Sequence, residues 1–304
     1  MTAAPEAPVG GWTLRWRRLR RHRAALVSLL VLVLLVGFSL AASPYAALRG
    51  LDPSSTDLLS RFDPPSFEHP LGTDDAGRDE LLRLMVGGQI SLLIGVLATL
   101  LGGVIGVAIG VYAGYFGGGV DAALMRFTDG VIVLPLLPLL IVLEAVDLTK
   151  LGFSPAFAHS GAAAFWRIVI VISLVDWTAV ARLVRAATLS IRERDFVRVA
   201  RANGAGSFYM IATHILPNVA TPIIVALTLT VGRVILLESV LSFLGLGVVP
   251  PTPSWGNMLN NAQDLVTTDP AIAIYPGLLI FVTVIAVNFL GDGLQHAFDP
   301  RSQE

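Results

Sequence analysis

The sequence contains no cysteine and only one lysine, Lys150, among its 21 basic residues. Without cysteine the chain has no disulfide, no thiolate nucleophile and no cysteine-based metal site. A phosphate-binding loop of the Walker type needs a lysine that follows glycine and precedes serine or threonine. Lys150 lies between Thr149 and Leu151 and does not fit. Any ATP that drives this protein must therefore be hydrolysed by another polypeptide, and we expect no cofactor bound by this chain.

Enzyme motifs are also absent from the sequence. The five histidines are scattered, and neither a His-Glu-x-x-His pair nor a Gly-x-Ser-x-Gly segment occurs. A zinc hydrolase and a serine hydrolase would need these spacings to bring a metal or a nucleophile to its partners. We therefore expect neither catalytic residues nor a metal site.

Charge is scarce, because 14% of the 304 residues are charged and 54% are hydrophobic. Soluble domains typically have about 25% charged residues. The mean hydropathy of +0.73 predicts a chain that lies in membrane lipid. The net charge of −1 gives no reason to expect nucleic acid as a partner.

Six apolar segments are long enough to span a bilayer, which needs about 20 residues. The predicted transmembrane helices cover residues 24–43, 88–114, 128–146, 167–187, 215–240 and 270–291. The chain divides into a basic N-terminus (1–23), the first span (24–43), an external segment (44–83), a core (84–298) and a tail (299–304). The core holds the other five spans and a central loop (190–217). A signal peptide is the alternative for the first segment, but signal peptides have shorter apolar cores of about 7–15 residues.

The basic residues predict the orientation. Fourteen of the 21 fall in the N-terminus, the central loop and the other segments on that side, whereas six fall on the opposite side. Cytoplasmic segments carry the excess of arginine and lysine. The sequence therefore predicts an all-α, six-helix membrane protein with both termini in the cytoplasm.

Glycine recurs at every fourth position in the second predicted span. The repeat follows Ala98, ends near Gly118 and includes Gly102, Gly106, Gly110 and Gly114. This spacing places the glycines on one stripe of a helix, where another backbone can approach closely. A flexible glycine-rich tract is the alternative, but the regular repeat favours a packing surface. Gly117 to Gly119 are expected to end the helix.

Charged residues inside predicted spans are candidates for the translocation path or for contacts with a partner. They are Asp176, Arg233 and Glu238. Arg182 lies six residues from Asp176, too far for pairing on one helix turn. Pro135 and Pro138 predict a kink in the third span, which we place beside the path.

The external segment is rich in aspartate and proline. Two interpretations remain open, a solvated acidic loop and a scaffold packed on the outer face of the membrane helices. Neither requires a metal.

The central loop from Asp195 to Pro217 differs from the spans around it. Phe196, Val199 and Ala200, with Asn203, share one face of a short predicted helix, and arginines occupy the other side. Gly204 and Gly206 permit a sharp bend. Leu216 and Pro217 are expected to open the next helix, because proline at a first turn loses no hydrogen bond.

This loop resembles the cytoplasmic loop of ABC transporter inner-membrane permeases, which reads Glu-Ala-Ala, three residues, Gly, nine residues and Ile-x-Leu-Pro. Ala200, Gly204, Leu216 and Pro217 match the pattern, whereas Arg198, Val199 and His214 depart from it. Histidine before Ile-Leu-Pro is the usual form in the peptide and nickel branch. The flanking segments resemble the same branch: His69–Asp74 with Gly77–Asp79, Leu241–Gly247, Pro250–Met258, and Gly291–Leu294 with Asp299–Arg301.

The resemblance implies the second permease of a dipeptide, oligopeptide or nickel importer, with the MetI-like fold of type I importers. It also implies a homologous second permease, two subunits that bind ATP and Mg²⁺, and an extracytoplasmic solute-binding protein. We expect peptides as substrates, with a nickel chelate as the alternative, and the companion permease to cover the glycine stripe. The residues implied in ATPase coupling are Asp195, Phe196, Arg198, Val199, Ala200, Arg201, Gly204, Ala205, His214, Leu216 and Pro217.

A stand-alone channel is the alternative from another functional class. A channel would also need kinked helices and charges within the membrane. It would not need a large basic cytoplasmic loop with an apolar face, which a permease coupled to a motor does need.

Overall fold

The computed structural model describes residues 20, 22–144, 146–158, 160–260 and 269–298. The predicted tail 299–304 and nearly all of the predicted N-terminus 1–23 lie outside the described residues. Apart from one isolated bridge between Thr73 and Asp79, every regular element of the described part is helical. The α-helices are α1 (Arg23–Leu40), α2 (Ala42–Arg49), α3 (Glu80–Phe116), α4 (Gly118–Val133), α5 (Leu136–Glu144), α6 (Pro155–Ala158), α7 (Gly161–Arg192), α8 (Asp195–Ala202), α9 (Ser207–Tyr209), α10 (Leu216–Phe243), α11 (Trp255–Met258) and α12 (Ala271–Phe298).

Five helical segments of the described chain are long and apolar enough to cross a membrane. They are Arg23–Arg49, Glu80–Phe116, Gly161–Arg192, Ser207–Phe243 and Ala271–Phe298. The predicted spans around residues 88–114, 167–187, 215–240 and 270–291 fall within four of them. The chain is therefore an all-α, multi-pass membrane protein.

The third predicted span, residues 128–146, is divided between two helices. Helix α4 ends at Val133, and Leu134 has extended backbone angles (φ −64°, ψ 124°) before α5 begins at Leu136. The residue before a proline disfavours the helical region, and Pro135 has no backbone N–H to donate. The expected kink is thus a complete break.

The glycine stripe of α3 packs against α7 of the same chain. Cβ atoms built on Gly106 and Gly110 would lie 2.6 Å and 2.5 Å from the carbonyl oxygens of Trp177 and Ala181, respectively. Gly102 and Gly114 meet Ser173 and Thr188 on the same helix. The expectation that a companion subunit covers this stripe is therefore wrong. A sequence pattern shows that a helix can be approached closely, but it does not show which helix approaches.

Helix α3 ends before Gly118, the last glycine of the repeat. Gly117 has φ +66° and ends α3, and the neighbouring Gly118 begins α4, where an added Cβ atom would have nothing within 4 Å. Only a residue without a side chain adopts such positive φ angles readily. The expected break at these glycines is present, and it turns the chain from α3 into α4.

The external segment combines both interpretations left open by the sequence. Asp52 and Asp57 are exposed, whereas Asp74 and Asp79 are only 4% and 5% exposed. Asp74 lies 2.7 Å from Nε of Arg78 and 3.2 Å from Nε of Arg83. The first half is a solvated loop, and the second half is a scaffold of buried ion pairs at the start of α3.

Two apolar clusters join the long helices α3, α7 and α10. One joins Ile94 of α3, Ile172 of α7 and Val234 of α10 in the middle of the bundle. The other lies at the end of the bundle that carries α8, where Val111, Val184 and Val197 are among the buried residues. This second cluster positions the candidate functional site.

Candidate functional site

Val197 is the fully buried side chain of the short helix α8. It packs in the cluster that contains Val184 and Met210. Its neighbours Phe196 and Val199 remain 44% and 59% exposed. The helix therefore docks on its own chain and still presents apolar side chains outward.

The predicted apolar face of α8 needs one correction. The sequence predicts that Ala200 shares an apolar face with Phe196 and Val199, but Ala200 packs against the internal cluster. Val197 lies outside the predicted face, and it is the residue that anchors the helix. Helix α8 has only eight residues. From the sequence of so short a helix, the apolar residues that pack against the chain's own core cannot be distinguished from those exposed to a partner.

Arginines connect α8 and the preceding turn to neighbouring helices. Nη1 of Arg192 donates to the carbonyl oxygens of Gly114 and Tyr115 at 3.1 and 3.3 Å, and the guanidinium of Arg201 lies 5.4 Å from the ring centre of Tyr115. The Arg192 contacts satisfy carbonyls that the end of α3 leaves without helical partners. The loop is thus attached to α3 as well as to α7.

The charged turn before α8 is more exposed. Glu193 ends α7, and hydrogen bonds from Arg192 and Arg198 hold the pKa of its carboxyl below the ordinary value. Asp195 opens α8, where its negative charge interacts favourably with the positive end of the helix dipole. This side of α8 is polar, whereas the side with Phe196 and Val199 is apolar.

Gly204 ends α8 with φ +81°. Its N–H donates to the Arg201 carbonyl at 3.0 Å, and the N–H of Ala205 donates to the Ala200 carbonyl at 3.2 Å. These two bonds form a Schellman motif, in which a residue with positive φ closes the end of a helix. Ala200 and Ala205 also pack against the same apolar cluster. The elbow predicted at Gly204 is therefore a defined cap.

The α-helix α10 begins at Leu216 and has Pro217 in its first turn, as the sequence predicts. Helix α9 begins at Ser207, continues through a π-helical turn at Met210–Ile215 and joins α10, so that Ser207–Phe243 is one continuous segment. Pro217 lies inside this segment. The π-helical turn directly before it accommodates a residue that has no N–H to donate.

Aromatic rings gather beside α8. The His214 ring lies 6.2 Å from the ring of Phe196 and 5.6 Å from that of Tyr209, measured between centroids. Tyr209 is 55% exposed. We call Phe196, Val199, Tyr209 and His214 the elbow surface. Sequence reasoning missed Tyr209, although an exposed aromatic residue next to the predicted elbow was a usable signal.

Two of the three charges expected within the membrane form a pair. Nη2 of Arg233 on α10 lies 2.6 Å from Oδ1 of Asp176 on α7. The residues are far apart in the sequence, so the rule for pairs within one helix could not find this contact.

Glu238 is placed differently from the other two charges. It is fully buried, and Oγ of Ser242 donates to its Oε1 at 2.7 Å. The side chains of Ser91, Ser239 and Ser254 also surround it. This interior position does not fit the candidate role in the translocation path, and Glu238 instead joins α10 to α3 and α11.

Comparisons with known protein families match most of the chain. The family described as the binding-protein-dependent transport system inner membrane component matches residues 106–304. The N-terminal transmembrane domain of oligopeptide transport permease C matches residues 11–65. Residues 1–10 and 66–105 lie outside the two matches.

Individual relatives of the chain are named as transport proteins. The chain is 39% identical over 288 residues to a protein of Brucella suis named as a peptide permease, covering 94% of this chain and 90% of that protein. It is 41% identical over 293 residues to the glutathione transport system permease protein of Shigella flexneri, covering 95% and 90%.

A solved structure has the same fold. An inward-facing form of the MetNI methionine ABC transporter aligns with a TM-score of 0.58 and 16% identity, over 71% of this chain and 97% of the matched chain. At this identity the likeness concerns the fold alone, which is the predicted MetI-like arrangement of helices.

Proposed function

Because the chain belongs to the family of binding-protein-dependent transport system inner membrane components and is a permease component of an ABC importer, we propose that it forms the translocation path together with a homologous second permease. Two ATP-binding subunits bind the cytoplasmic side of this pair. An extracytoplasmic solute-binding protein delivers the substrate. ATP and Mg²⁺ are bound by the ATPase subunits and not by this chain.

The elbow surface is the observation that supports coupling to an ATPase. It presents exposed apolar side chains, Phe196 and Val199, on a helix whose other side is anchored by Val197. Contact between such apolar side chains and water is unfavourable. Exposed apolar residues surrounded by charged ones are typical of protein interaction sites. The partner we propose is a groove of one ATPase subunit, whose acidic rim would contact Arg198.

Motion of the ATPase would reach the membrane helices through two connections. The Schellman cap at Gly204 fixes the direction of the chain between α8 and the segment Ser207–Phe243. Arg192 joins the same loop to the end of α3. A displacement of α8 would therefore tilt α10 and α3 together, which is the kind of movement that alternating access requires.

Peptides are the substrate class we propose. The supporting observations are the peptide and glutathione names of relatives that match over nearly the full chain. A nickel chelate is the alternative substrate within the same family. The solute-binding protein would set most of the selectivity, because it meets the substrate first.

The test is purification of the tagged chain in mild detergent, followed by mass spectrometry of the proteins that accompany it. We expect a second permease and two ATPase subunits. A variant with Phe196→Ser and Val199→Ser should retain the second permease and lose most of the ATPase. A matched control, Leu100→Ser, changes an apolar side chain that is also exposed, at 50%, but lies on α3 away from the elbow surface. Recovery of the native chain alone or as a homo-oligomer would contradict the proposal and favour a channel.

A further inference from the structure

The pair between Arg233 and Asp176 is asymmetric in its exposure. The Arg233 side chain is 52% exposed and that of Asp176 is 11% exposed. The aspartate therefore lies between the helices, and the guanidinium lies at the surface of this chain. Asp176 is near the midpoint of α7, Gly161–Arg192, so the pair is also far from both ends of the membrane-crossing helices.

Lipid is an unfavourable neighbour for this guanidinium. A charged side chain at the bilayer centre costs about 2.5–3.5 kcal/mol even on the mildest scale, and such residues face a protein interior or a water-filled cavity. Leu236 and Val240 follow Arg233 on the same side of α10 and are 49% and 44% exposed. This face of α10 is thus expected to border water or protein.

The hydrogen-bonding capacity of the pair is not used up. A guanidinium has five N–H donors in a planar fork, but the ion pair joins Arg233 to one oxygen of Asp176. The other oxygen, Oδ2, is buried and has no hydrogen-bond partner within the described residues. Pairs of arginine with a carboxylate are frequently bidentate, whereas this pair leaves one carboxylate oxygen unbonded in the described part of the chain. The guanidinium N–H donors of Arg233 that do not contact Asp176 are therefore able to bind another group.

We propose that Arg233 binds a carboxylate of the transported solute, and that Asp176 is a positioning residue that holds the guanidinium while the path is empty. This inference rests on the proposed function, since it requires α10 to line the path. A carboxylate fits the planar fork of arginine with two parallel hydrogen bonds. The solute would then carry a free carboxylate, as unmodified peptides do.

A permanent contact with an acidic residue of the second permease is the competing explanation. Asp176 argues against it, because this residue already supplies the negative charge that such a contact would provide. The carboxylate of a passing solute adds a second negative charge only while the solute is bound.

The test uses the complete transporter in proteoliposomes with its solute-binding protein. The two probes are the dipeptide alanyl-alanine and its C-terminal amide, and the quantity measured is the ratio of ATP-driven uptake of acid to amide. Arg233→Gln should lower this ratio about tenfold, since hydrogen bonds to charged groups contribute strongly. Arg233→Lys, which keeps the charge but not the fork, should restore part of it. The preference of the solute-binding protein cancels because it is the same for every variant.

Arg182→Gln is the matched control. Arg182 also joins α7 to another helix, because its Nη2 lies 2.5 Å from Oδ1 of Asp129 on α4. Both side chains of this pair are more than half exposed. Its loss should leave the ratio unchanged. An equal fall for both probes in Arg233→Gln, an unchanged ratio, or loss of the second permease on purification would each overturn the inference. A native complex that takes up neither probe would overturn the proposed function as well.

Discussion

A Cβ atom on Gly106 would lie 2.6 Å from the carbonyl oxygen of Trp177. The nearest obstacle is backbone, which cannot rotate away as a flexible side chain can. Helices α3 and α7 are therefore in contact along their backbones, and the stripe that includes Gly110 carries this contact toward the end of the bundle where α8 lies.

Gly106→Ala should destabilise the protein by about 1–3 kcal/mol, because the added methyl group forces the two helices apart. Thermal unfolding in detergent should show a lower midpoint. Gly37→Ala is the control, since Gly37 is in α1 with nothing within 4 Å of the added atom. It should leave the midpoint unchanged or raise it, because alanine favours a helix. Equal midpoints for the two variants would show that the stripe is not closely packed.

Gly204→Val should weaken the elbow because valine is strained at the positive φ of this position, and not because the new side chain clashes with a neighbour. Nothing lies within 4 Å of an added Cβ, but φ is +81°, which costs an ordinary residue about 1–2 kcal/mol. We expect ATP hydrolysis to persist while uptake per ATP falls severalfold. Gly206→Val is the matched control, because Gly206 has an ordinary φ of −69° and open surroundings. Normal uptake in Gly204→Val would remove the elbow from the coupling mechanism.

Val197→Ala and Phe196→Ala should affect different properties of the protein, although the two residues are adjacent. Val197 is fully buried and Phe196 is 44% exposed. The valine change should lower the stability of the chain by about 2 kcal/mol through a cavity, which thermal unfolding measures. The phenylalanine change should leave stability unaltered and reduce the ATPase activity that the solute-binding protein stimulates. If both variants lose stability equally, Phe196 belongs to the core and not to an outward surface.

Asp74→Asn should loosen the external scaffold. The Asp74 carboxylate accepts from Arg78 and lies 3.2 Å from Arg83, and all three side chains are largely buried. Removing the charge of one partner in a buried cluster costs about 3 kcal/mol. Trypsin added from outside should then cleave the segment faster. Asp52→Asn is the control, because Asp52 is exposed and bonded to the neighbouring Ser54. Equal cleavage rates for native protein and Asp74→Asn would contradict the scaffold.

The sequence predicted features that depend on local chemistry. Gly204 marked the elbow because few other residues adopt a positive φ readily. The breaks at Pro135 and Gly117 follow from the backbone limits of proline and glycine. Helix type and membrane location follow from long apolar segments, since a bilayer requires internally bonded backbone.

Features that depend on tertiary contacts were not predictable in the same way. The stripe at Gly106 indicated a close approach without identifying α7 as the neighbour. Arg233 and Asp176 lie on different helices, so no spacing in the sequence connects them. Pro217 correctly marks the first turn of α10, but it does not reveal the π-helical turn at Met210–Ile215 that joins α10 to α9. Each of these features depends on a neighbouring segment of the folded chain that the local sequence does not identify.

Photo-cross-linking from position 196 tests the central claim most directly. A benzophenone amino acid in place of Phe196 should, on illumination of native membranes, link this chain to an ATP-binding subunit, and addition of ATP should change the yield. The same probe at Leu100, an exposed residue of α3, should not give this product. Cross-links from position 196 only to lipid or within the chain itself, with or without ATP, would contradict the account.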